Sequence, residues 1–237
     1  MSRAFARLTD LQLFPVTVVQ CSIAWFGVDA DWERELGIEL PKSLATAAPK
    51  RRRDFLAGRY CARQALSQLD PQLARSPIEI GAAREPVWPA GIVGSITHTD
   101  GFASAVAARA SDVTGLGVDA ERALPSSDVG HLERQIVSPV EADALKASEL
   151  PRSIRTLLAF SAKEAIFKCL YPRARQLWEL HEVEIVRIDP ERGSFLARGA
   201  SSRAAAVWPR LGVDGRFLIR DGCIYTGACE RTPPASV

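Results

Sequence analysis

The stretch Phe160-Ser161-Ala162-Lys163-Glu164-Ala165-Ile166-Phe167-Lys168 determines how the second half of the chain is built. It lies in a run from Arg152 to Tyr171 that contains neither glycine nor proline, and Pro172 follows directly. Such a run predicts one long helix that ends at the proline. Because side chains four residues apart share a helix face, the helix brings the Glu164 carboxylate and the Lys168 ammonium together.

A second acidic segment, Gly117-Val118-Asp119-Ala120-Glu121, lies upstream and is typical of a strand. Asp119 and Glu121, two residues apart, then project from the same side of that strand. Adjacent carboxylates repel each other unless a cation lies between them, and a hard divalent ion such as Mg²⁺ takes oxygen ligands. With Glu164 as a third carboxylate and Lys168 one turn further on, the set suits a metal that also holds a phosphate.

Each pattern also has an ordinary explanation. An Asp-x-Glu strand is most often a solvated face, and a glutamate–lysine pair at this spacing usually contributes only about 0.2–0.5 kcal/mol to a helix. The interpretation as a site therefore depends on the two patterns occurring together with a third, basic element upstream.

The basic element is the start of a predicted amphipathic helix from Arg51 to Leu69. Lys50, Arg51, Arg52 and Arg53 precede Arg59 and Arg63, and only Asp54 opposes them. A solvated helix face explains this cluster about equally well. Nucleic-acid binding is disfavoured, because interleaved aromatic residues are lacking and the net charge of the chain is only +2. The forked guanidinium groups suit the oxygens of a compact polyphosphate ligand.

His98 lies where a predicted strand, Gly94 to Thr97, meets the turn Thr99-Asp100-Gly101. Asp-Gly favours a tight hairpin turn to a second strand, Phe102 to Ala108. A single histidine is more often a structural residue. Here Ser95 and Thr97 precede it, and their hydroxyl groups are suited to complete a phosphate pocket.

Composition fits an ordinary globular protein: 237 residues, of which 47% are hydrophobic and 24% charged. The five cysteines have no metal-ligand spacing, so we expect free thiols in a reducing cytoplasm. The apolar segment Phe14 to Phe26 is too short to span a bilayer, and we expect neither a targeting segment nor membrane association.

The remaining patterns predict an α+β fold with two halves, residues 1–113 and 114–237. The further predicted elements are a buried strand from Val16 to Ala24, a short helix from Asp31 to Leu40, a polar loop from Ala123 to Gly130, a helix that begins at Ser138, and strands at Val183–Ile188, Ser194–Arg198, Phe217–Ile219 and Cys223–Cys229.

Five segments in this order resemble the 4′-phosphopantetheinyl transferases of the Sfp type, in particular the bacterial branch of enterobactin-synthetase component D. Each motif is weak alone, whereas five in order at suitable spacing form a specific pattern. The resemblance runs from about residue 15 to the C-terminus, and the segments that carry it are Arg51–Arg63, Arg84–Pro89, Gly94–His98, Gly117–Glu121 and Phe160–Lys168.

The resemblance implies two similar α+β halves related by a pseudo-twofold, with coenzyme A bound in the cleft between them. The nucleotide contacts would lie in the first half, and the metal and catalytic residues in the second. It also implies the reaction, in which the phosphopantetheine arm of coenzyme A moves to a serine of an apo acyl, peptidyl or aryl carrier protein. Adenosine 3′,5′-bisphosphate leaves.

The resemblance also implies a role for each site residue. Asp119, Glu121 and Glu164 would hold Mg²⁺, with Mn²⁺ as the alternative metal. Catalysis would use Glu164 as general base, directly or through water, Lys168 to neutralise the leaving charge, and Asp119. The implied coenzyme A contacts are Arg51, Arg59, Arg84, Ser95, Thr97, His98, Asp119, Lys163 and Lys168.

Two other functions compete with this interpretation. A Mg²⁺-dependent phosphodiesterase or nuclease would use the same three carboxylates and would need no carrier protein. A non-enzymatic regulator would bind an anionic nucleotide through the arginine helix and would tolerate loss of Asp119. We expect a monomer, and the sequence leaves open whether it serves siderophore or other nonribosomal peptide, polyketide or fatty acid synthesis.

Overall fold

The computed structural model describes residues 5–8, 11, 13–15, 17–25, 31–123, 126–206, 208 and 212–231. The chain divides into two compact units, Met1–Asp112 and Val113–Val237. Each unit combines an antiparallel sheet with helices, which confirms the predicted α+β class. The division lies one residue before the predicted boundary. The roles predicted for the two halves, and the pseudo-twofold between them, stay predictions.

The first unit is built on a four-stranded sheet in the order β1-β2-β6-β5 and a separate ribbon, β3-β4. Its strands are β1 Phe5–Leu8, β2 Val19–Trp25, β3 Glu79–Ile80, β4 Pro86–Val87, β5 Ile92–Thr99 and β6 Phe102–Arg109. Its α-helices are α1 Trp32–Leu36 and α2 Pro49–Leu69, and short 3₁₀ turns cover Lys42–Leu44 and Pro71–Arg75.

Helix α2 packs on this sheet through small side chains. Ala57 and Ala65 of the helix and Ala103, Ala105 and Ala107 of β6 are all fully buried in one core. Small residues on both surfaces let the helix lie close to the strands. The predicted turn between β5 and β6 is confirmed, and its glycine at position 101 has a φ of +73°, a conformation that favours glycine.

The second unit is built on a five-stranded sheet in the order β7-β11-β10-β9-β8. Its strands are β7 Val113–Arg122, β8 Val183–Asp189, β9 Ser194–Gly199, β10 Val213–Arg220 and β11 Cys223–Arg231. Its α-helices are α3 Ser126–Ile136, α4 Pro139–Ala147, α5 Arg152–Ala174 and α6 Ser202–Ala205. Helix α5 lies against β7 and β11, and Leu158, Ala162, Ile166 and Leu170, which follow one another at steps of four residues, are fully buried.

The predicted polar loop from Ala123 to Gly130 is wrong, because helix α3 begins at Ser126. Glycine and short polar residues suggested a loop. An apolar stripe outweighs them: Val129 and Ile136, seven residues apart, are buried, and Leu132 between them packs against the core that contains Ile136.

The predicted end of helix α5 at Pro172 is also wrong, since the helix continues to Ala174 and ends where Arg175 adopts a φ of 50°. A proline lacks one N–H donor, and so close to the helix end little of the hydrogen-bond ladder remains to be disturbed. The rings of Phe167 and Tyr171, 5.3 Å apart, support the last turns by packing.

Other boundaries agree more closely. The helix start at Ser138 is confirmed, with a reciprocal capping box between Ser138 and Glu141. Strand β1, helix α6 and the first part of β10 were not predicted, and Val16 of the predicted first strand lies outside the described residues.

The predicted free thiols are confirmed, and four of the five cysteines are buried. Within the residues that the structure describes, no helix has both the length and the apolar character needed to cross a membrane.

Candidate active site

Two glycines of β7 allow helix α5 to lie directly on the strand. A Cβ atom at Gly117 would lie 1.7 Å from the carbonyl oxygen of Ala165, and one at Gly115 would lie 2.4 Å from that of Cys169. Side chains at these positions would push the helix away. The close approach puts the next residue on the same strand face, Asp119, against the helix.

Asp119 is almost completely buried and is held from both sides by α5. Its Oδ1 lies 2.6 Å from Lys168 Nζ, and its Oδ2 accepts a hydrogen bond of 2.8 Å from Ser161 Oγ. Thr226, opposite Asp119 on β11, donates from Oγ1 to the carbonyl oxygen of Ser161 at 2.9 Å. These contacts fix the carboxylate in one orientation, beside the ammonium group of Lys168.

The other two predicted carboxylates are close enough to Asp119 to interact with it electrically. Burial raises the pKa of Glu121 to about 7; Asp119 and Glu164 raise it too, and Lys168 opposes them. Burial also raises the pKa of Glu164, with Lys168 lowering it and Asp119 raising it. Strand β7 and helix α5 therefore bring three acidic groups and one lysine into one electrostatic cluster.

The three carboxylates suit a hard divalent cation, which prefers oxygen ligands. Because they lie in a partly buried place, their negative charges repel one another, and a bound cation would relieve that repulsion. As the side chains stand, no group of three His, Cys, Asp or Glu residues in the described part of the chain is arranged to hold a metal ion. Lys168 supplies the positive charge beside Asp119 in this arrangement.

Lys163 does not join this cluster, and its predicted contact with coenzyme A stays a prediction. Its side chain is fully buried, and Nζ lies 2.7 Å from Glu141 Oε2. Nζ also donates to the carbonyl oxygen of Ile136. In this arrangement the ammonium group is committed to two buried acceptors.

The predicted basic residues of the first unit line one cavity of about 540 Å³. Arg51 and Arg59 come from α2, Arg84 from the turn between β3 and β4, and His98 from the end of β5. Apolar walls complete it, formed by Leu44, Phe55, Ile80, Pro86 and Ile96. The cavity can take an anionic group together with a flat apolar one.

Arg59 lines the cavity and has one donor left unpaired inside the protein. Its Nη2 donates to the carbonyl oxygen of Glu79 at 3.2 Å, and its guanidinium lies 5.0 Å from the centre of the Phe55 ring. Its Nε is buried without a hydrogen-bond partner, and burial lowers the pKa of Arg59 to about 10. A bound anion beside the guanidinium would favour its charged form and so raise the pKa of Arg59.

Asp54 orders the basic groups on the same wall and was not predicted as a site residue. Its Oδ2 lies 3.0 Å from Lys50 Nζ and 3.7 Å from His98 Nδ1. On the other side of the imidazole, Arg51 Nη1 lies 3.3 Å from His98 Nε2. The sequence pattern that could have identified Asp54 was its spacing of four residues from Lys50 on a predicted helix.

Ser95 and Thr97 are buried side chains that do not line the cavity beside His98, and their contact with coenzyme A stays a prediction. Successive side chains of a strand point to opposite faces, and Ile96 and His98 occupy the cavity face of β5. Thr97 pairs in register with Ser104, whose hydroxyl lies 2.8 Å from that of Ser22. These hydroxyl groups thus share the opposite face of the sheet.

Ser161 and Thr226 were also missed as site residues. Ser161 carried a signal, because it precedes Glu164 by three residues on the same helix. Thr226 carried none, since only the pairing of β11 with β7 puts it opposite Asp119.

Comparison with known proteins matches both units to one family. The model of the 4′-phosphopantetheinyl transferase N-terminal domain matches residues 40–108, and that of the 4′-phosphopantetheinyl transferase superfamily matches residues 115–211. A solved holo-ACP-synthase from Plasmodium yoelii shares 16% identity, covers 52% of this chain and 97% of its own, and has a TM-score of 0.38, too low to support an argument about the fold.

Individual relatives agree with these matches. The chain is 37% identical over 191 residues to 4′-phosphopantetheinyl transferase Svp of Streptomyces mobaraensis, covering 80% of this chain and 76% of Svp. It is 39% identical over 196 residues to Npt of Nocardia iowensis, covering 77% and 84%. Enterobactin synthase component D of Salmonella typhi is 37% identical over 130 residues, covering 55% of this chain and 53% of its own. The chain belongs to the 4′-phosphopantetheinyl transferase family and is an enzyme of that type.

Proposed function

We propose that this enzyme transfers the 4′-phosphopantetheine arm of coenzyme A to a serine of an apo carrier protein and releases adenosine 3′,5′-bisphosphate. The observation that carries the proposal is the cluster of Asp119, Glu121, Glu164 and Lys168, in which Lys168 Nζ lies 2.6 Å from Asp119. Phosphoryl transfer depends mainly on positioning and on neutralising charge, which this cluster supplies.

The nucleotide end of coenzyme A fits the cavity of the first unit. Arg51 Nη1 and His98 Nε2, 3.3 Å apart, put a guanidinium group and an imidazole side by side for the 3′-phosphate, and Arg59 adds a second guanidinium group. Phe55, Ile80 and Ile96 give the cavity an apolar wall suited to the adenine ring. Arg84, held at a φ of 66° by the turn before β4, adds a further cation at the edge.

The three carboxylates of the second unit would hold Mg²⁺, with Mn²⁺ as the alternative. When bound, the ion would supply positive charge to the pyrophosphate. Asp119 is the best-fixed ligand, because Ser161 and Lys168 orient its two oxygens. Glu121 and Glu164, whose pKa values are raised, gain most from a nearby cation, since it would favour their charged forms.

Glu164 is the proposed general base for the carrier serine. Burial raises its pKa, which makes its carboxylate a better proton acceptor near neutral pH. Metal binding would reduce that basicity, so transfer through a bound water is the alternative route. Lys168 would stabilise the negative charge that grows on the leaving phosphate, because it already lies against the carboxylates.

The acceptor is proposed to be an acyl, peptidyl or aryl carrier domain. The enterobactin synthase component D relatives favour siderophore synthesis among the candidate pathways. Val140, 62% exposed at the start of α4, is an apolar residue available to a carrier helix. We further propose that the protein is a monomer. Its five free cysteines favour a reducing compartment, and its net charge of only +2 disfavours binding to nucleic acid or membranes.

Intact-mass measurement tests the proposal. The purified enzyme is incubated with coenzyme A, Mg²⁺ and a panel of apo carrier domains, and each carrier should gain the mass of one phosphopantetheine group. Hydrolysis of coenzyme A without any acceptor would favour the phosphodiesterase instead. Binding of coenzyme A without turnover, unaffected by Asp119→Ala, would favour the non-enzymatic regulator.

A further inference from the structure

Lys163 and Glu141 form a fully buried ion pair that the proposed mechanism does not use. The side chains of both residues are inaccessible to solvent, and Nζ lies 2.7 Å from Oε2. Burying two charges requires several compensating contacts, and an apolar pair of similar volume is often equally stable or more so. Such a pair is therefore weak evidence for a role in stability alone, and its position in the fold becomes the informative property.

The pair connects four elements of the second unit. Lys163 belongs to α5 and donates to the carbonyl oxygen of Ile136 at the end of α3. Glu141 is the capping residue of α4, where its Oε2 accepts from the backbone N–H of Ser138 at 3.3 Å. Its Oε1 accepts from the N–H of Ile185 on β8 at 2.9 Å. Through Glu141 and the carbonyl group of Ile136, these elements are all connected to Lys163, the residue directly before Glu164.

The geometry of helix α5 connects the Lys163–Glu141 pair to the reaction site. Successive side chains of an α-helix are about 100° apart around the axis, so fixing the direction of Lys163 also fixes that of Glu164. Lys168 is one turn beyond Glu164 and reaches Asp119. A small rotation of α5 would move both side chains together, away from β7.

We propose that the Lys163–Glu141 pair is a positioning element that sets the rotation of helix α5 and so places Glu164 and Lys168 at Asp119. The inference rests on the proposed function of those residues. Neither partner touches the reacting groups, so both are positioning residues. Ser161 and the apolar face of α5 also hold the helix, and the experiment has to separate their contribution from that of the ion pair.

The test compares Lys163→Met with the double variant Lys163→Met/Glu141→Gln. The single variant leaves Glu141 buried without its cation and should lower the melting temperature. The double variant removes both charges, keeps similar volumes and leaves an oxygen for the Ile185 N–H. Its melting temperature should therefore recover toward the wild type. Its kcat should stay roughly 10- to 100-fold down at a temperature well below melting, with little change in KM for coenzyme A.

A crystal structure of the double variant gives a result independent of turnover, namely whether Lys168 Nζ still lies within hydrogen-bonding distance of Asp119. Loss of that contact supports the proposal; retention of the contact, or a wild-type kcat, overturns it. The control is Glu182→Gln, which removes another buried acid, paired with Arg203, and should keep the wild-type kcat. An equal loss in the control would mean general destabilisation and would also overturn the proposal. If the wild-type enzyme transfers no phosphopantetheine to any carrier domain, the proposed function itself is wrong.

Discussion

The ammonium group of Lys168 lies 2.6 Å from Oδ1 of Asp119, although 49 residues separate them in the chain. The contact joins the strand that carries two of the acidic residues to the helix that carries the third. It therefore links the integrity of the site to the packing of α5 on β7.

Asp119→Asn should nearly abolish transfer, because the variant keeps the shape of the side chain and loses its charge. The loss should reach several kcal/mol of transition-state stabilisation if Asp119 holds the cation. Transfer assays over a Mg²⁺ series measure it. Asp143→Asn on the exposed face of α4 is the matched control and should behave as the wild type. Full activity of Asp119→Asn with an unchanged Mg²⁺ requirement would remove Asp119 from the metal site.

Lys168→Ala should lower turnover with little change in coenzyme A affinity, since its charge matters most as the leaving group departs. It should also lower stability without Mg²⁺, because the buried Asp119 carboxylate then loses the ammonium group that lies 2.6 Å from its Oδ1. Added Mg²⁺ should raise the melting temperature of this variant more than that of the wild type. Thermal unfolding with and without Mg²⁺, together with calorimetry of coenzyme A binding, measures all three quantities. An increased Kd with intact turnover would leave Lys168 only a ground-state role.

Arg51→Ala and His98→Ala should weaken binding of coenzyme A far more than binding of dephospho-coenzyme A. The expected difference is roughly 1.5–3 kcal/mol, the value of a hydrogen bond to a charged group. Calorimetry with both ligands determines it. Arg52→Ala is the control, because Arg52 belongs to the same helix and lines a different cavity with Trp32. An equal loss for the two ligands would place Arg51 and His98 elsewhere on coenzyme A.

Glu121 should make the protein less stable as pH rises from about 4.5 to about 7, because its pKa is raised to about 7 in the folded state. Below that window the group is protonated in both states, and its effect vanishes. Within the window the folded state binds more protons than the unfolded one, so the free energy of unfolding falls with rising pH. Glu121→Gln should therefore stabilise the protein by roughly 1–2 kcal/mol at pH 8, allowing for solvent screening, and have little effect at pH 4.

Urea unfolding at the two pH values, without Mg²⁺, measures this difference. Glu121→Gln with the same stability relative to the wild type at both pH values would contradict the prediction. Saturating Mg²⁺ should reduce the gain at pH 8, because the cation stabilises the charged carboxylate of the wild type.

Gly117→Ala should destabilise the protein by about 1–3 kcal/mol or more and reduce transfer, because the new methyl group would lie 1.7 Å from the carbonyl oxygen of Ala165. Gly130→Ala is the matched control on helix α3, where a new Cβ would meet, among the residues that the structure describes, the flexible ends of Arg134 and Arg152 at 3.7 and 3.8 Å. That change should stabilise the protein by roughly 0.5–1 kcal/mol. Chemical unfolding and transfer assays compare the two variants, and a neutral Gly117→Ala would show that β7 and α5 can separate without loss.

Local sequence patterns identified most elements, because their causes act over a few residues. The Asp-Gly turn after β5, the capping box at Ser138 and the strand with Asp119 and Glu121 follow from turn chemistry, capping and alternation. Helix α3 and the last turn of α5 were missed, because burial of Val129 and ring packing of Tyr171 outweighed local signals from glycine and proline.

By itself, the sequence determined the α+β class, the family motifs and the clustering of Glu164 with Lys168 on one helix face, because each depends on neighbours along the chain. Only the tertiary structure decided which polar groups remain available. Lys163 and Glu164 are adjacent in sequence, yet packing of α5 commits Lys163 to Glu141 and puts Glu164 among the carboxylates. Likewise, β5 turns Thr97 away from the cavity that His98 lines. A motif gives the order of side chains, whereas burial against distant elements decides which of them can meet a ligand.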